Sequence, residues 1–383
     1  MDEKKYSKRT RRVKRKTVAN KNRGLKRSIV KTMRRVERVS NAKSIVQYHY
    51  TPSINRHLID MKTMTLRRDL TKCPKNKVKV KVGKSKKGNE YRCMDIHSKE
   101  AINQMLKFLN RSRNITCITA PKQKLSNCWF NTMFMSFFIS DMGYEFTKIV
   151  RQIMITGERI NKTKIDSELR KPLLELNLAI QSSIDCVDDH YYLLENTNLM
   201  ISKLSTLLPN HLNLHLPKPD EYGNPIPYYT AMINYILSGY EVKKHVYTIG
   251  YYDLQNQLSY QGSVINVVFP DILMISMDVT EPAIKSILKK QKKQTYIKTL
   301  GGKAYRLDSM IISNDEHFIS FHTINKKEYA FDGATYSKCF QMNWKKDINR
   351  NKNFNLYQGG RSVSDWSFNF TIGYQIMVYF RVK

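Results

Sequence analysis

Charge is divided so unevenly along this chain that only part of it can bury a core. Residues 1–100 hold 32 Lys and Arg against 8 Asp and Glu, a net of +24, whereas residues 101–383 hold 34 against 24, a net of +10. A segment that basic repels itself and has too few apolar residues to offset the entropy of ordering. The fold-forming sequence is therefore the C-terminal three quarters. Residues 1–45 carry 18 basic and three acidic residues. Of these, 1–24 is expected to be disordered, and Leu25, Ile29, Val30, Met33 and Val36 recur at a spacing that predicts a basic helix over about 25–40. Residues 46–100 read as a basic linker or small β-containing segment. Alternating Lys and Val over 74–88 predict a strand with one charged face, followed by a Gly-containing turn. A polycationic arm attracts phosphate backbones, so nucleic acid is the partner expected for residues 1–45; a nuclear-localisation signal is the alternative.

From residue 101 the pattern is globular and α+β. A helix buried all round is predicted over 128–140 and mostly helix over 145–208, with a five-proline loop over 209–227. Strands are predicted over 241–250, 262–269, 272–278, 304–313, 317–324, 327–332 and 371–381. The longest apolar run, Val264–Met277, is broken by Asn266, Pro270 and Asp271, so no transmembrane segment is expected. A charged N-terminus without an apolar stretch argues against a signal peptide. Cysteines stand at 73, 93, 117, 128, 186 and 339 with no CxxC pair, which excludes a zinc ribbon and implies free thiols in a reducing, intracellular setting: cytoplasm, nucleus or virion. The chain is rich in Lys, Asn, Ile and Tyr, a bias found in AT-rich genomes such as those of some large DNA viruses.

Three residue types needed for thiol catalysis occur in the order Cys, His, Asp. Cys128 follows two good capping residues, Ser126 and Asn127, and opens the apolar run. A thiol in a first helical turn feels the positive end of the helix dipole, which favours thiolate. His317 begins one strand and Asp332 ends the next, so a hairpin would bring carboxylate to imidazole and set its tautomer. His322 is a rival base, but an odd separation from His317 turns it to the opposite face. An oxyanion needs donors, and the Cys128 backbone N–H with the side-chain amide of Gln123 or Asn127 would supply them. Asp185, Cys186, Asp188, Asp189 and His190 include metal-binding types, yet on a helix each i, i+4 pair gives two ligands and no second pair completes four. A solvated face is the preferred reading there, and neither a metal nor another cofactor is expected.

These residues lie in segments that resemble the ubiquitin-specific proteases, within the papain-like cysteine peptidases. Asn127-Cys128-Trp129-Phe130-Asn131 resembles the family's cysteine box, with an aromatic after the cysteine and Asn three after it. Pro270–Met277 resembles its Pro-x-x-Leu-x-Ile-x-Leu strand with Met last. Tyr305-Arg306-Leu307 through His317–Phe321 resembles the histidine box, Tyr329–Asp332 its aspartate end and Gly373–Tyr379 the closing strand. The resemblance implies an α+β papain-like peptidase over 101–383, with a helical lobe, an antiparallel β lobe and the active site between them. It makes Cys128 nucleophile, His317 base and Asp332 orienter, and puts Gln123 where the family has an oxyanion Asn. The family's glycine in the cysteine box, the glycine before the histidine and the zinc-binding CxxC pairs are absent here. The implied activity is hydrolysis after the C-terminal Gly of ubiquitin or a ubiquitin-like protein. The rival expectations are a viral polyprotein-processing protease and an inactive nucleic-acid-binding virion protein.

The charge division makes a direct prediction. Removing residues 1–45 should weaken DNA or RNA binding strongly at about 150 mM salt, and binding by the full chain should fall steeply with salt as counterions are released. Equal affinity of the two proteins in a filter-binding titration would leave the arm without this role.

Overall fold

A computed structural model describes residues 45–48, 73–74, 77–85, 88–110, 118–185, 193–194, 197–208, 221, 223–238, 245–314, 317–334, 339–358, 361–362 and 367–382. The chain divides into two compact units, 1–46 and 47–383. In the first, the described residues are Ile45 and Val46, which begin a strand over Ile45–Tyr48. The helix expected at 25–40 lies outside the described residues.

In the second unit, the Lys–Val alternation forms an antiparallel hairpin of β1 (Lys77–Ser85) and β2 (Gly88–Asp95). Val78 and Val80 are buried while Lys77 is exposed, as a period of two requires. Cys93 on β2 is disulfide-bonded to Cys73, with Cα atoms 5.5 Å apart. This corrects the expectation of free thiols throughout. The bond joins positions 20 residues apart, a spacing that matches no local motif. Among the described residues Cys128 and Cys339 are free.

Helix α1 (Lys99–Leu109) packs on β1. It is capped by Ser98, whose hydroxyl accepts from the Ala101 N–H at 3.2 Å, and it buries Ala101, Met105 and Leu109 at i, i+4, i+8. Next comes α2 (Cys128–Phe134), which runs on through a π-helical turn at Met135–Ile139. Residues 127–140 are all buried. The Ser140 hydroxyl then accepts from the Gly143 N–H at 3.3 Å and starts α3 (Asp141–Thr156), which ends at left-handed Gly157, φ 71°. Helices α4 (Ser167–Asp185) and α5 (Asn198–Leu207) complete the region expected to be helical.

Two sequence expectations fail here for the same reason, capping. Part of the predicted proline loop is helix α6 (Pro225–Ile236), because Asn224 accepts from the Ile226 N–H at 3.0 Å and Pro225 sits at the first helical position, where its missing N–H costs nothing. The strand expected over 262–269 is instead α8 (Val264–Val267), set by Ser263 accepting from the Asn266 N–H. It follows α7 (Tyr251–Ser259).

The other predicted strands stand close to where they were expected. They are β3 (Val246–Gly250), β4 (Ile272–Asp278), β6 (Ala304–Ser313), β7 (Phe318–Ile324) and β8 (Lys327–Phe331), and two short strands that were not expected join them, β5 (Tyr296–Lys298) and β9 (Cys339–Gln341). After β10 (Asn353–Gln358) and β11 (Phe368–Asn369), which pair with each other, β12 (Tyr374–Val382) closes the chain. The large sheet runs β9-β8-β7-β6-β12-β4-β3, with β5 also on β6. It is not wholly antiparallel: β3 lies parallel to β4, because α7 and α8 form the crossover that a parallel pair needs. Central β12 is flanked by β6 and β4, and six consecutive residues from Gln375 are buried.

Two carboxylates tie the sheet to the start of α3. Asp308 on β6 accepts from the Met142 and Gly143 N–H groups at 3.0 and 3.4 Å. Asp141 accepts from the Asn325 and Lys326 N–H groups at 2.7 and 2.9 Å. Asn325 and Lys326 are the two-residue turn between β7 and β8, both at positive φ, the geometry that suits a tight hairpin. Buried Lys293 donates to the Ile348 and Phe370 carbonyls and to Gln375 Oε1, tying the segment before β5 to residues before β10, just after β11 and on β12.

Close approach at Gly143 makes a testable demand. A Cβ there would lie 2.5 Å from the Ser136 carbonyl oxygen and 2.6 Å from that of Phe137. Gly143→Ala should therefore cost about 1–3 kcal/mol in chemical denaturation through overpacking. Gly250→Ala, whose Cβ meets nothing nearer than 3.6 Å, should stay within about 0.5 kcal/mol.

Candidate active site

Cys128, His317 and Asp332 come together where the start of α2 meets the end of the β7–β8 hairpin. Helix α2 packs on β7, which brings the cysteine to the sheet. Ser320 stands opposite Phe331 across the hairpin, so continuing the register by one sets Asp332 opposite Ile319. His317 shares the Ile319 face, two residues back, which makes imidazole and carboxylate a diagonal cross-strand pair. His317 Nε2 bonds to Asp332 Oδ1 at 2.7 Å. The same oxygen accepts from the Ala334 N–H at 2.9 Å, and the His317 N–H donates to Asn314 Oδ1 at 2.9 Å, so both residues are held by their own turns.

With Nε2 committed to the carboxylate, Nδ1 is the ring nitrogen left for Cys128, whose side chain lies close enough to raise the imidazole's pKa. His317 and Asp332 are fully buried and Cys128 is 4% exposed. Burial by itself pushes the imidazole toward its neutral form. Hydrogen bonds with Asp332 and Cys128, and the charges of both, outweigh it and hold the pKa at about 9. Protonated His317 is therefore the resting form at neutral pH.

Neither rival has such surroundings. His322 lies on the other face of β7, with Nε2 3.2 Å from Ser320 Oγ, and burial pushes it down to about 3. It is a neutral core residue. Cys339 is buried without a base to charge it, and its thiol is pushed up to about 12.

The two oxyanion candidates separate. Asn127 does not cap α2 with its side chain, and its amide is engaged elsewhere. Its Nδ2 donates to Thr197 Oγ1 at 2.9 Å, Thr197 donates to Asn131 Oδ1 at 2.8 Å, and Asn131 Nδ2 returns to Asn127 Oδ1 at 3.4 Å. That closed, buried ring holds the helix start and engages an N–H of the Asn127 amide. Gln123 sits against the aspartate end: its N–H donates to the Gly333 carbonyl at 2.9 Å, and a Cβ on Gly333 would come within 3.2 Å of Gln123 Cβ. Gln123 Oε1 is buried without a partner, and Nε2 makes only a long 3.5 Å bond to the Leu125 carbonyl. This amide is uncommitted.

Sequence reasoning missed Thr197, 70 residues from Asn127, because nothing local marks a threonine as the partner of a distant amide. Of the suggested metal cluster, Cys186, Asp188, Asp189 and His190 lie outside the described residues; among the described residues no group of three or more His, Cys, Asp or Glu is placed to hold a metal. No described helix is long and apolar enough to cross a membrane.

No family model and no curated protein matches the chain. Among solved structures it is similar to the SAGA DUB module of Ubp8, Sgf11, Sus1 and Sgf73 bound to monoubiquitin, at TM-score 0.40 and 10% identity over 70% of this chain and 69% of that one. The module bound to ubiquitin aldehyde gives TM-score 0.40 and 10% identity over 70% of each chain. A yeast SAGA DUB module carrying an altered Sgf73 gives 0.34 and 9% over 70% and 69%. This is a distant overall likeness, and the functional reading rests on side chains instead.

The imidazole's raised pKa has a sign that can be checked. A histidine lifted from 6.5 to about 9 stabilises the fold fully below about pH 6.5 and loses that contribution as pH rises through 9. Lys293, lowered by burial to about 7, works in the opposite sense but is common to parent and variant. The gap in unfolding midpoint between the parent and His317→Gln should thus be widest near pH 6 and narrow by pH 9. A constant gap would mean that His317 is neutral in the fold.

Proposed function

We propose that this chain is a cysteine-type peptidase acting on ubiquitin or a ubiquitin-like protein, with Cys128 as nucleophile, His317 as acid–base and Asp332 as the residue that orients the imidazole. The observation that carries the reading is the buried contact of the three side chains, with Nε2 on the carboxylate and Nδ1 left for the sulfur. Support for the substrate class is the order of the five segments that resemble the ubiquitin-specific proteases. Residues 101–383 would form the catalytic domain and 46–100 a basic segment that contains the β1–β2 hairpin, with residues 1–45 as an arm that holds the enzyme on polyanions inside the cell.

The chemistry follows from the protonated base. The Cys128 thiolate attacks the carbonyl carbon of the scissile bond, and the carbonyl π pair moves onto oxygen. The Cys128 backbone N–H, among the first of its helix and so without an intrahelical partner, and the Gln123 amide stabilise that oxyanion. His317 Nδ1 gives its proton to the leaving amine as the C–N bond breaks, which leaves a thioester. A water then loses a proton to His317 and attacks the thioester, and the carboxylate product and thiolate are released. Asp332 keeps its charge throughout and holds the ring.

The test is turnover of a fluorogenic amide at the ubiquitin C-terminus. Cys128→Ala should abolish it, and His317→Ala should lower kcat/KM about 10⁴-fold or more because such groups act as a unit. Asp332→Asn should cost less than His317→Ala if Asn314 and the turn still position the ring. Full turnover by Cys128→Ala would refute the proposal.

A further inference from the structure

We infer that the turn joining β5 to β6, together with the chain around α8, is a docking surface for an anionic lipid membrane. Leu300, Val267 and Tyr260 would enter the headgroup layer, and Lys298, Lys303 and Arg306 would meet its negative charge. The surface lies at the far end of β6 from the catalytic residues. Ala304 and Ser313 stand nine residues apart on that strand, about 30 Å, and His317 lies beyond Ser313, so the inference does not rest on the peptidase reading.

A single exposed apolar residue needs no account, but a cluster does. Tyr260 (66% exposed), Leu300 (62%) and Val267 (60%) are three of the five most exposed large apolar residues described, and all three are rooted around the buried side chain of Asn266. Asn266 Nδ2 donates to the Tyr260 carbonyl at 2.8 Å, its Oδ1 accepts from the Leu300 N–H at 3.1 Å, and Val267 is the next residue. The turn is closed on itself: the Thr299 N–H donates to the Lys303 carbonyl at 2.9 Å, and the Gly302 N–H to the Thr299 carbonyl at 3.1 Å. It also seats on the chain after α8, where a Cβ on Gly301 would come within 2.5 Å of the Phe269 ring. The Leu300 backbone is thus fixed while its side chain stands in water.

Charge narrows the partner. Residues 254–270 carry no charged side chain, and 282–307 hold eight basic residues and no acidic one. Seven of the eight are exposed, and among the described residues none of those seven pairs with a carboxylate. Lys298 and Lys303 flank the turn. Tyr296 and Lys298 share the exposed face of β5, and Arg306 stands directly opposite Tyr296. Two more, Lys289 and Lys290, come from the last turn of α9 (Pro282–Lys290), which packs on α7. Unmatched positive charge of this extent repels a second copy of the chain and attracts a polyanion. Nucleic acid would use the cations and the tyrosine rings but has no use for Leu300 and Val267. An anionic lipid surface accounts for all of them: aliphatic side chains reach the acyl boundary, tyrosine rings sit at headgroup level, and lysines meet the charged lipid.

The test is co-sedimentation of the full chain with vesicles of mixed phosphatidylserine and phosphatidylcholine at about 150 mM salt. Residues 1–45 would also attract such vesicles, so the comparison holds charge constant: parent against a protein carrying both Val267→Ser and Leu300→Ser, with Leu199→Ser, another exposed leucine, as a remote control. The parent and Leu199→Ser should bind alike, and the double variant at least about tenfold more weakly with its unfolding midpoint unchanged. In a separate Leu300→Trp protein, brominated acyl chains should quench the indole at the turn. Equal binding by parent and double variant, or an unquenched Leu300→Trp protein on bound vesicles, would place the attraction in the arm and overturn the inference, as would a parent that does not bind. Loss of single-stranded DNA affinity in the double variant, with vesicle binding unchanged, would overturn it in favour of nucleic acid. Turnover at Cys128 should be the same in all these proteins, so each outcome leaves the peptidase reading as it stands.

Discussion

The helix that carries Cys128 has no solvent face, and the rest of the molecule is arranged around that constraint. A helix apolar on every side must lie between layers. Here Trp129, Phe130, Phe137 and Phe138 pack with Tyr228 and Tyr229 of α6, Phe134 packs on Phe138, and the other side of the helix meets β7. Fully burying each such ring contributes about 1.5–3 kcal/mol, far more than any single hydrogen bond at the helix start. Apolar burial therefore fixes where the thiol is, and the Asn127–Thr197–Asn131 ring fixes how the first turn is rotated. The tight approach of Gly223 to the Trp129 ring, where a Cβ would fall 2.2 Å from an indole carbon, shows how little slack that packing leaves.

A buried imidazolium needs a counter-charge, and the hairpin provides it. An isolated buried charge costs several kcal/mol, which is why His322, without a carboxylate, is neutral. His317 differs by facing Asp332 across one turn of strand register. The carboxylate lies on the same hairpin, so its position relative to the imidazole is set by the β7–β8 register and by the flanking bonds to Asn314 and Ala334. Asp141 grips the β7–β8 turn by two backbone N–H groups, and Asp308 grips the start of α3 from β6. The helix bearing the thiol runs through Ser140 into α3, so base and nucleophile are referred to the same anchor. Burial also raises Asp308 to about 6, a sign that this anchor sits deep in the protein.

Much of this was legible in the sequence because the signals are local. Short runs of strand-forming residues marked β4, β6, β7, β8 and β12, which are mostly buried on both faces, and the odd spacing of His317 and His322 separated the two faces of one strand. Polar caps were read in the wrong places: Asn127 looked like a helix cap and is a node of a buried ring, whereas Asn224 and Ser263 do cap helices inside stretches read as loop and strand. An apolar run such as 264–269 fits both periods, and its short capped turn decides between them. Long-range partners left no trace, because neither the Cys73–Cys93 bond nor the Thr197 contact has a sequence spacing that chemistry prefers. The left-handed backbone at Leu125, φ 56°, was hidden because leucine, unlike glycine, does not advertise it.

The central claim is that His317 acts on the Cys128 sulfur, and the most direct measurement is the rate at which iodoacetamide alkylates Cys128 at pH 7 in the parent and in His317→Ala. Coupling of the two side chains requires the rate to fall about tenfold or more when the imidazole is removed, with Cys339 unreactive in both proteins. Equal rates in parent and variant would show that the imidazole does not act on this sulfur, and the account would fail at its centre.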